Sequence, residues 1–187
     1  DGPPEVADPV RGLRLNLHTA GTPDLAHARR IVTAAAARVA GTGLHLQVFA
    51  AGGGIAALAG ELAGAGCPVV LDHMGMALTG SPAEQEALLE LVAQPSTWVK
   101  LSAPERMGVE PDSASVRALV EAIATRAPDR IVWGSDWPHS QITHEPGAHH
   151  EGFRDVDDGA RLRLLAGWLG AAAFPAMLVD NPSRLYA

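Results

Sequence analysis

Cysteine is nearly absent. Cys67 stands alone, so the chain closes no disulfide within itself and builds no cysteine zinc cluster. Basic residues are the minority, 14 against 21 acidic, for a net charge of −7. That excludes nucleic acid as a general partner, because phosphate binding needs a basic face, and leaves room only for a local basic pocket. No uninterrupted apolar run reaches the ~18–20 residues that span a bilayer, and no secretory leader pattern is visible. The expectation is a soluble cytoplasmic protein with no membrane partner. An initiating methionine is lacking too. The chain opens Asp-Gly-Pro-Pro, which suggests a fragment or a processed product.

The chain of 187 residues is 47% hydrophobic, enough for one domain over 1–187 with a sizeable core. Apolar runs and helical periods alternate along it. "GLRLNL" (12–17) reads as a strand, followed by a helix with Thr22 as N-cap, Pro23 at its first position and Gly41 at its close. "LHLQVFA" (44–50) is a second strand, and Ile55, Leu58 and Leu62 then share one helical face. "PVVLDH" (68–73) is the third. Ser81, Pro82 and Glu84 form a capping box before a helix that buries Leu88, Leu89 and Val92. "TWVKLS" (97–102) is the fourth strand, and a helix burying Val116, Leu119, Val120 and Ile123 runs to Pro128. "RIVWGSD" (130–136) is the fifth. The remainder reads as helix, with Asn181-Pro182 as a cap and first position and a strand at "AMLV" as the alternative. Residues 138–160 form a long polar loop with His139, His144, His149, His150 and several acids.

Strand, helix, strand, helix with short links means parallel βα units, whose strands are continuously apolar because both faces are covered. Five units make an open sheet. An eight-stranded barrel needs three more, so the expectation is that roughly 80–120 N-terminal residues are absent, at ~30 or more per unit.

In such folds chemistry sits at the carboxyl ends of the strands. Arg14, Asn16 and His18 end the first; Gln47 and Phe49 the second; Asp72 and His73 the third; Lys100 and Ser102, followed by Glu105 and Arg106, the fourth; Asp136, followed by His139, the fifth. Adjacent strand residues face opposite ways, so only one of Asp72 and His73 is expected to face the site. Trp133 and Trp137 would give Asp136 apolar surroundings, which suit a carboxylate that takes a proton from water or binds a metal; an aspartate capping the next loop is the alternative. His73 is a candidate metal ligand or carbonyl-polarising group, against a structural histidine. Arg14 and Arg106 could grip a carboxylate in bidentate fashion, against ion pairs. His149-His150 looks like a metal pair, but adjacent loop residues seldom converge on one ion. His139 reads as structural rather than catalytic, with substrate contact as its other role.

"GLRLNL", "LHLQVFA", "PVVLDHMG", "WVKLSAPER", "RIVWGSDWPHS" and "DNPSRLYA", in this order, resemble the amidohydrolase superfamily. Within it the resemblance is to the amidohydrolase-related branch that holds lactone hydrolases acting on pyrone dicarboxylates and sulfomuconolactone. It implies a (β/α)8 TIM-type barrel of which this chain is the C-terminal five units. It also implies that Asp136 deprotonates the attacking water. His73 would face the substrate carbonyl while Asp72 points away, and Arg14 and Arg106 would bind substrate carboxylates. Ser102, Gln47 and His139 complete the substrate-binding set. The family's opening His-x-His strand has no counterpart in this sequence, and "NLHTAGT" lacks the further arginine that follows the first strand in the dicarboxylate lactonase. A monoanionic or different lactone is therefore the expected substrate.

The expected activity is hydrolysis of a lactone or related carboxylated ring. A metal-dependent decarboxylase of the same branch, or a non-catalytic incomplete barrel that binds a ligand or partner, are the alternatives. Superfamily relatives use zinc or manganese. His73 and Asp136 alone are too few ligands for a closed zinc site. A homo-oligomer is an open expectation.

Overall fold

Alternation of apolar strand and amphipathic helix produces a parallel five-stranded sheet with helices packed along one face. The structure, a computed structural model, describes residues 10–18, 24–141 and 152–187. Strands β1 (Gly12–Asn16), β2 (His45–Phe49), β3 (Val69–Leu71), β4 (Thr97–Leu101) and β5 (Ile131–Trp133) lie in sequence order, each parallel to its neighbour. Helices α1 (Leu25–Val39), α2 (Gly52–Ala57), α3 (Ala59–Ala63), α4 (Pro82–Ala93), α5 (Ala114–Arg126), α6 (Asp158–Leu178) and α7 (Asp180–Leu185) connect and follow them.

Register sorts the strand residues onto two faces. Leu46, Val48, Val69, Leu71, Val99, Leu101 and Ile131 join the large core shared with the helices. The other face starts from the aligned row Arg14, Gln47, Val70 and Trp98. There Val70, Val132 and Trp98 pack under Leu185 and Tyr186 of the C-terminal segment, while Arg14 and Gln47 supply polar groups. One face thus stabilises the sheet through apolar burial, and the other carries its chemistry.

The local signals hold in detail. Ser81 and Glu84 make the reciprocal capping box of α4, with Pro82 at its first position. Ile55, Leu58, Leu62, Leu88, Leu89, Val92, Val116, Leu119, Val120 and Ile123 are all buried. Elsewhere the ends shift. α1 is capped by Asp24, whose carboxylate accepts from the His27 N–H at 2.8 Å; Thr22 and Pro23 lie outside the described residues. β3 and β5 each have three residues, and left-handed backbone follows at His73 after β3 and at Asp136 after β5. "AMLV" is helical within α6 and at its end, not a strand. Asn181 is no cap: its buried amide donates to the Pro128 and Ile131 carbonyls, at 3.1 and 2.8 Å, and pins α7 beneath β5.

Asp158–Leu185 is long and apolar enough to cross a membrane by length and composition. Counting only uninterrupted apolar residues overlooks this, because small residues and isolated charges dilute the run. In the fold the stretch bends at Gly170 (φ 71°) and packs on α5 and β5.

Candidate active site

The carboxyl ends of β3, β4 and β5 bring His73, Ser102, Arg106 and Asp136 together. Strand geometry stops at Leu71, and His73, Met74, Gly75 and Met76 all take left-handed backbone angles. Ala103, Asp136 and His139 do the same at the neighbouring strand ends. Non-glycine residues in this region cost backbone energy, and such positions cluster where side chains are aimed for function.

The turn overrides simple alternation. Asp72 keeps the strand parity of Val70 and stays on the polar face, so it does not point away from the site. Arg14 Nε donates to it at 2.8 Å and Gln47 Nε2 at 2.8 and 2.9 Å. Lys100 Nζ lies 3.3 Å from the same carboxylate and donates to Gln47 Oε1 at 2.9 Å. Burial is the largest single influence on Asp72 and opposes its ionisation, but Lys100, His73 and Arg14 together outweigh it, and the carboxyl sits below its ordinary value. Reversed at the left-handed turn, His73 also reaches the site. Both residues of the pair face it, where alternation allowed one.

His73 is buried against the Phe49 ring, edge on at 4.9 Å between centroids. Burial lowers its pKa to about 4, with Arg106 and Arg14 working in the same direction and Asp72 and Asp136 opposing. The ring is therefore neutral at neutral pH. Nδ1 meets the Ser102 hydroxyl at 2.8 Å, and Nε2 faces Asp136 Oδ1 at 3.7 Å. That second distance is too long for a hydrogen bond. At that separation a single oxygen could lie within hydrogen-bond distance of both atoms.

Arg106 Nε donates to the other oxygen of Asp136 at 2.6 Å, and its Nη2 donates to the Ser140 carbonyl at 3.3 Å. Nη1 is buried with no hydrogen-bond partner among the described residues. A buried guanidinium N–H left unpaired is costly, which makes it a ready donor for an incoming oxygen. The tryptophans do not wall in Asp136. Trp137 is 80% exposed, and Trp133 packs into the helix-side core; the guanidinium is what borders the carboxylate.

Of the expected substrate contacts, Gln47 is committed to Asp72 and Lys100, and Ser102 to His73. Arg14 gives its Nε to Asp72, while its guanidinium lies 5.5 Å over the Phe49 ring and its side chain remains 45% exposed. His139 Nε2 pairs with Asp158 at 3.4 Å, while its backbone N–H donates to the Asp136 carbonyl at 2.8 Å. His144, His149 and His150 lie outside the described residues. Lys100 was legible as a strand-end residue but not as the partner of Asp72. Its signal was its place in β4, two residues from both Trp98 and Ser102 and so on their face.

The described residues by themselves do not close a divalent-ion site. His73 and Asp136 offer two donors, a cationic guanidinium holds the same carboxylate, and no three His, Cys, Asp or Glu residues converge among the described residues. Zinc centres take three or four protein ligands.

The amidohydrolase family model matches residues 6–187. The chain is 36% identical over 132 residues to 4-sulfomuconolactone hydrolase of Rhizobium radiobacter, covering 67% of this chain and 41% of that protein. It is 35% identical over 127 residues to D-galactarolactone isomerase of Agrobacterium fabrum, covering 63% and 39%. A Pseudomonas putida crystal structure, described provisionally as a 2-pyrone-4,6-dicarboxylic acid hydrolase, superimposes with TM-score 0.71 at 30% identity, covering 95% of this chain and 63% of that one. The chain spans about two fifths of the length of the curated relatives it matches.

Proposed function

Since the chain belongs to the amidohydrolase family, we propose that its site serves the hydrolysis of a lactone carrying a carboxylate. The observation that carries this reading is the facing pair of His73 Nε2 and Asp136 Oδ1, 3.7 Å apart, beside a buried Arg106 donor with no partner among the described residues. Water held between the pair gives a proton to Asp136. The hydroxide adds to the lactone carbonyl carbon, and the carbonyl oxygen becomes an oxyanion. Neutral His73 donates to that oxygen, and placing such a donor where charge develops is a large catalytic effect. The tetrahedral centre collapses, the ring C–O bond breaks, and the proton on Asp136 passes to the departing oxygen. Arg106 Nη1 and the exposed end of Arg14 hold the substrate carboxylate and fix the ring for attack.

The relatives named above, hydrolase and isomerase alike, are named for lactones, which supports the ring ester as substrate. The parallel sheet in sequence order supports reading residues 1–187 as one unit, five consecutive βα units of an eight-unit barrel.

Asp136→Asn is the test. It keeps the shape and removes the base, and turnover of a panel of carboxylated lactones should fall by about 10³-fold or more in a variant that circular dichroism shows to be folded at the assay temperature. Near-normal turnover in that variant overturns the assignment.

A further inference from the structure

Ser102 sits at the end of β4 with its hydroxyl 2.8 Å from His73 Nδ1, and both residues are buried. A neutral imidazole carries one N–H, and the partner of each nitrogen decides which one. Nε2 faces the Asp136 carboxylate, which only accepts. The electrostatically favoured proton position is therefore Nε2. Nδ1 is then a bare acceptor at a buried position, and the partner that the described residues bring to it is the Ser102 hydroxyl, which must donate.

We propose that Ser102 is a positioning residue that locks His73 in its Nε2–H tautomer, so that this N–H points into the gap shared with Asp136. Ser102 then acts through the histidine rather than on substrate. The consequence for turnover rests on the hydrolase reading above; the tautomer itself does not. In the opposite tautomer Nε2 would be bare and would repel a developing oxyanion. The Phe49 ring, perpendicular to the imidazole and packed against it from β2, restricts relief by tilting.

The test is a long-range proton–nitrogen correlation spectrum of the full chain labelled with ¹⁵N-histidine at neutral pH, with His73→Gln identifying the His73 signals. Wild type should show a protonated Nε2 and a bare, hydrogen-bonded Nδ1. Ser102→Ala should shift the Nδ1 signal and mix in the other tautomer. On a lactone substrate, kcat should fall about tenfold with KM little changed, and Ser102→Thr should recover part of it. An Nδ1–H ring in the wild type overturns the proposal even if no variant folds, and so does an unchanged ring spectrum in Ser102→Ala. If the spectrum is as expected but no lactone is hydrolysed by wild type, the tautomer stands and the hydrolase reading falls.

Discussion

Arg106 commits Nε to Asp136 and Nη2 to the Ser140 carbonyl, and leaves Nη1 buried without a partner among the described residues. A planar fork can hold the base, the loop and a substrate oxygen at once; an ammonium cannot. Arg106→Lys should therefore lower kcat/KM about 10–100-fold, the equivalent of one or two charge-assisted hydrogen bonds. The loss should be larger for a carboxylated lactone than for an uncharged one. Steady-state kinetics on such a matched pair decides: equal losses on both would remove substrate anion binding from the role of Arg106. Asp72 shows the opposite arrangement. Its carboxylate is filled by Arg14, Gln47 and Lys100, so it organises the polar face instead of meeting substrate directly.

The turn after β3 is the element that builds the site, and Gly75 is its tightest point. Gly75 has φ 63°, and a Cβ there would come 2.6 Å from Leu88 Cδ1 of α4. Gly75→Ala combines left-handed strain with overpacking and should cost about 2–4 kcal/mol. Gly108, with φ 72° and nothing within 4 Å of where a Cβ would stand, is the matched control: Gly108→Ala meets backbone strain alone, about 1 kcal/mol. Urea denaturation of both variants measures the difference. Equal costs would mean that the turn is not pressed against α4. Because His73 rides on this turn, Gly75→Ala should also lower turnover more than Gly108→Ala.

For the whole molecule, burial of a neutral histidine ties stability to pH. The His73 value in the folded protein is about 4, against 6.5 for an ordinary histidine. As pH falls the unfolded chain takes up this proton first, which favours unfolding. The stabilisation is complete above 6.5 and is lost as pH falls towards about 4, by at most about 3 kcal/mol. His45, also lowered chiefly by burial, acts in the same direction, so the informative quantity is the difference between variants. Asp72 is lowered as well, but its contribution is lost only at more acid pH, below the ordinary carboxylate value. Urea melts across this range should give a flatter stability–pH profile for His73→Asn than for wild type. Parallel profiles would show that His73 is not buried as a neutral ring.

The order of strands and helices, the buried helical faces and the α4 capping box were legible in the sequence, because each depends on residues close together in the chain. Periodicity, proline and a Ser-x-x-Glu pair act within one or two turns. The rim was legible in part: His73, Ser102, Arg106 and Asp136 follow the ends of β3, β4 and β5, while Arg14 and Gln47 stand mid-strand in β1 and β2. Their pairings were not. Alternation holds only while the backbone stays extended, and the left-handed run from His73 to Met76 ends that rule one residue after Asp72. Likewise the exposure of Trp137 and the approach of Arg106 to Asp136 follow from how the segments after β4 and β5, distant in the chain, lie side by side. The sequence by itself determined which chemical groups reach one end of the sheet. The tertiary structure decided which of them neutralise one another and which face each other beyond bonding distance, because inter-strand register and backbone turns set side-chain distances that chain spacing does not encode.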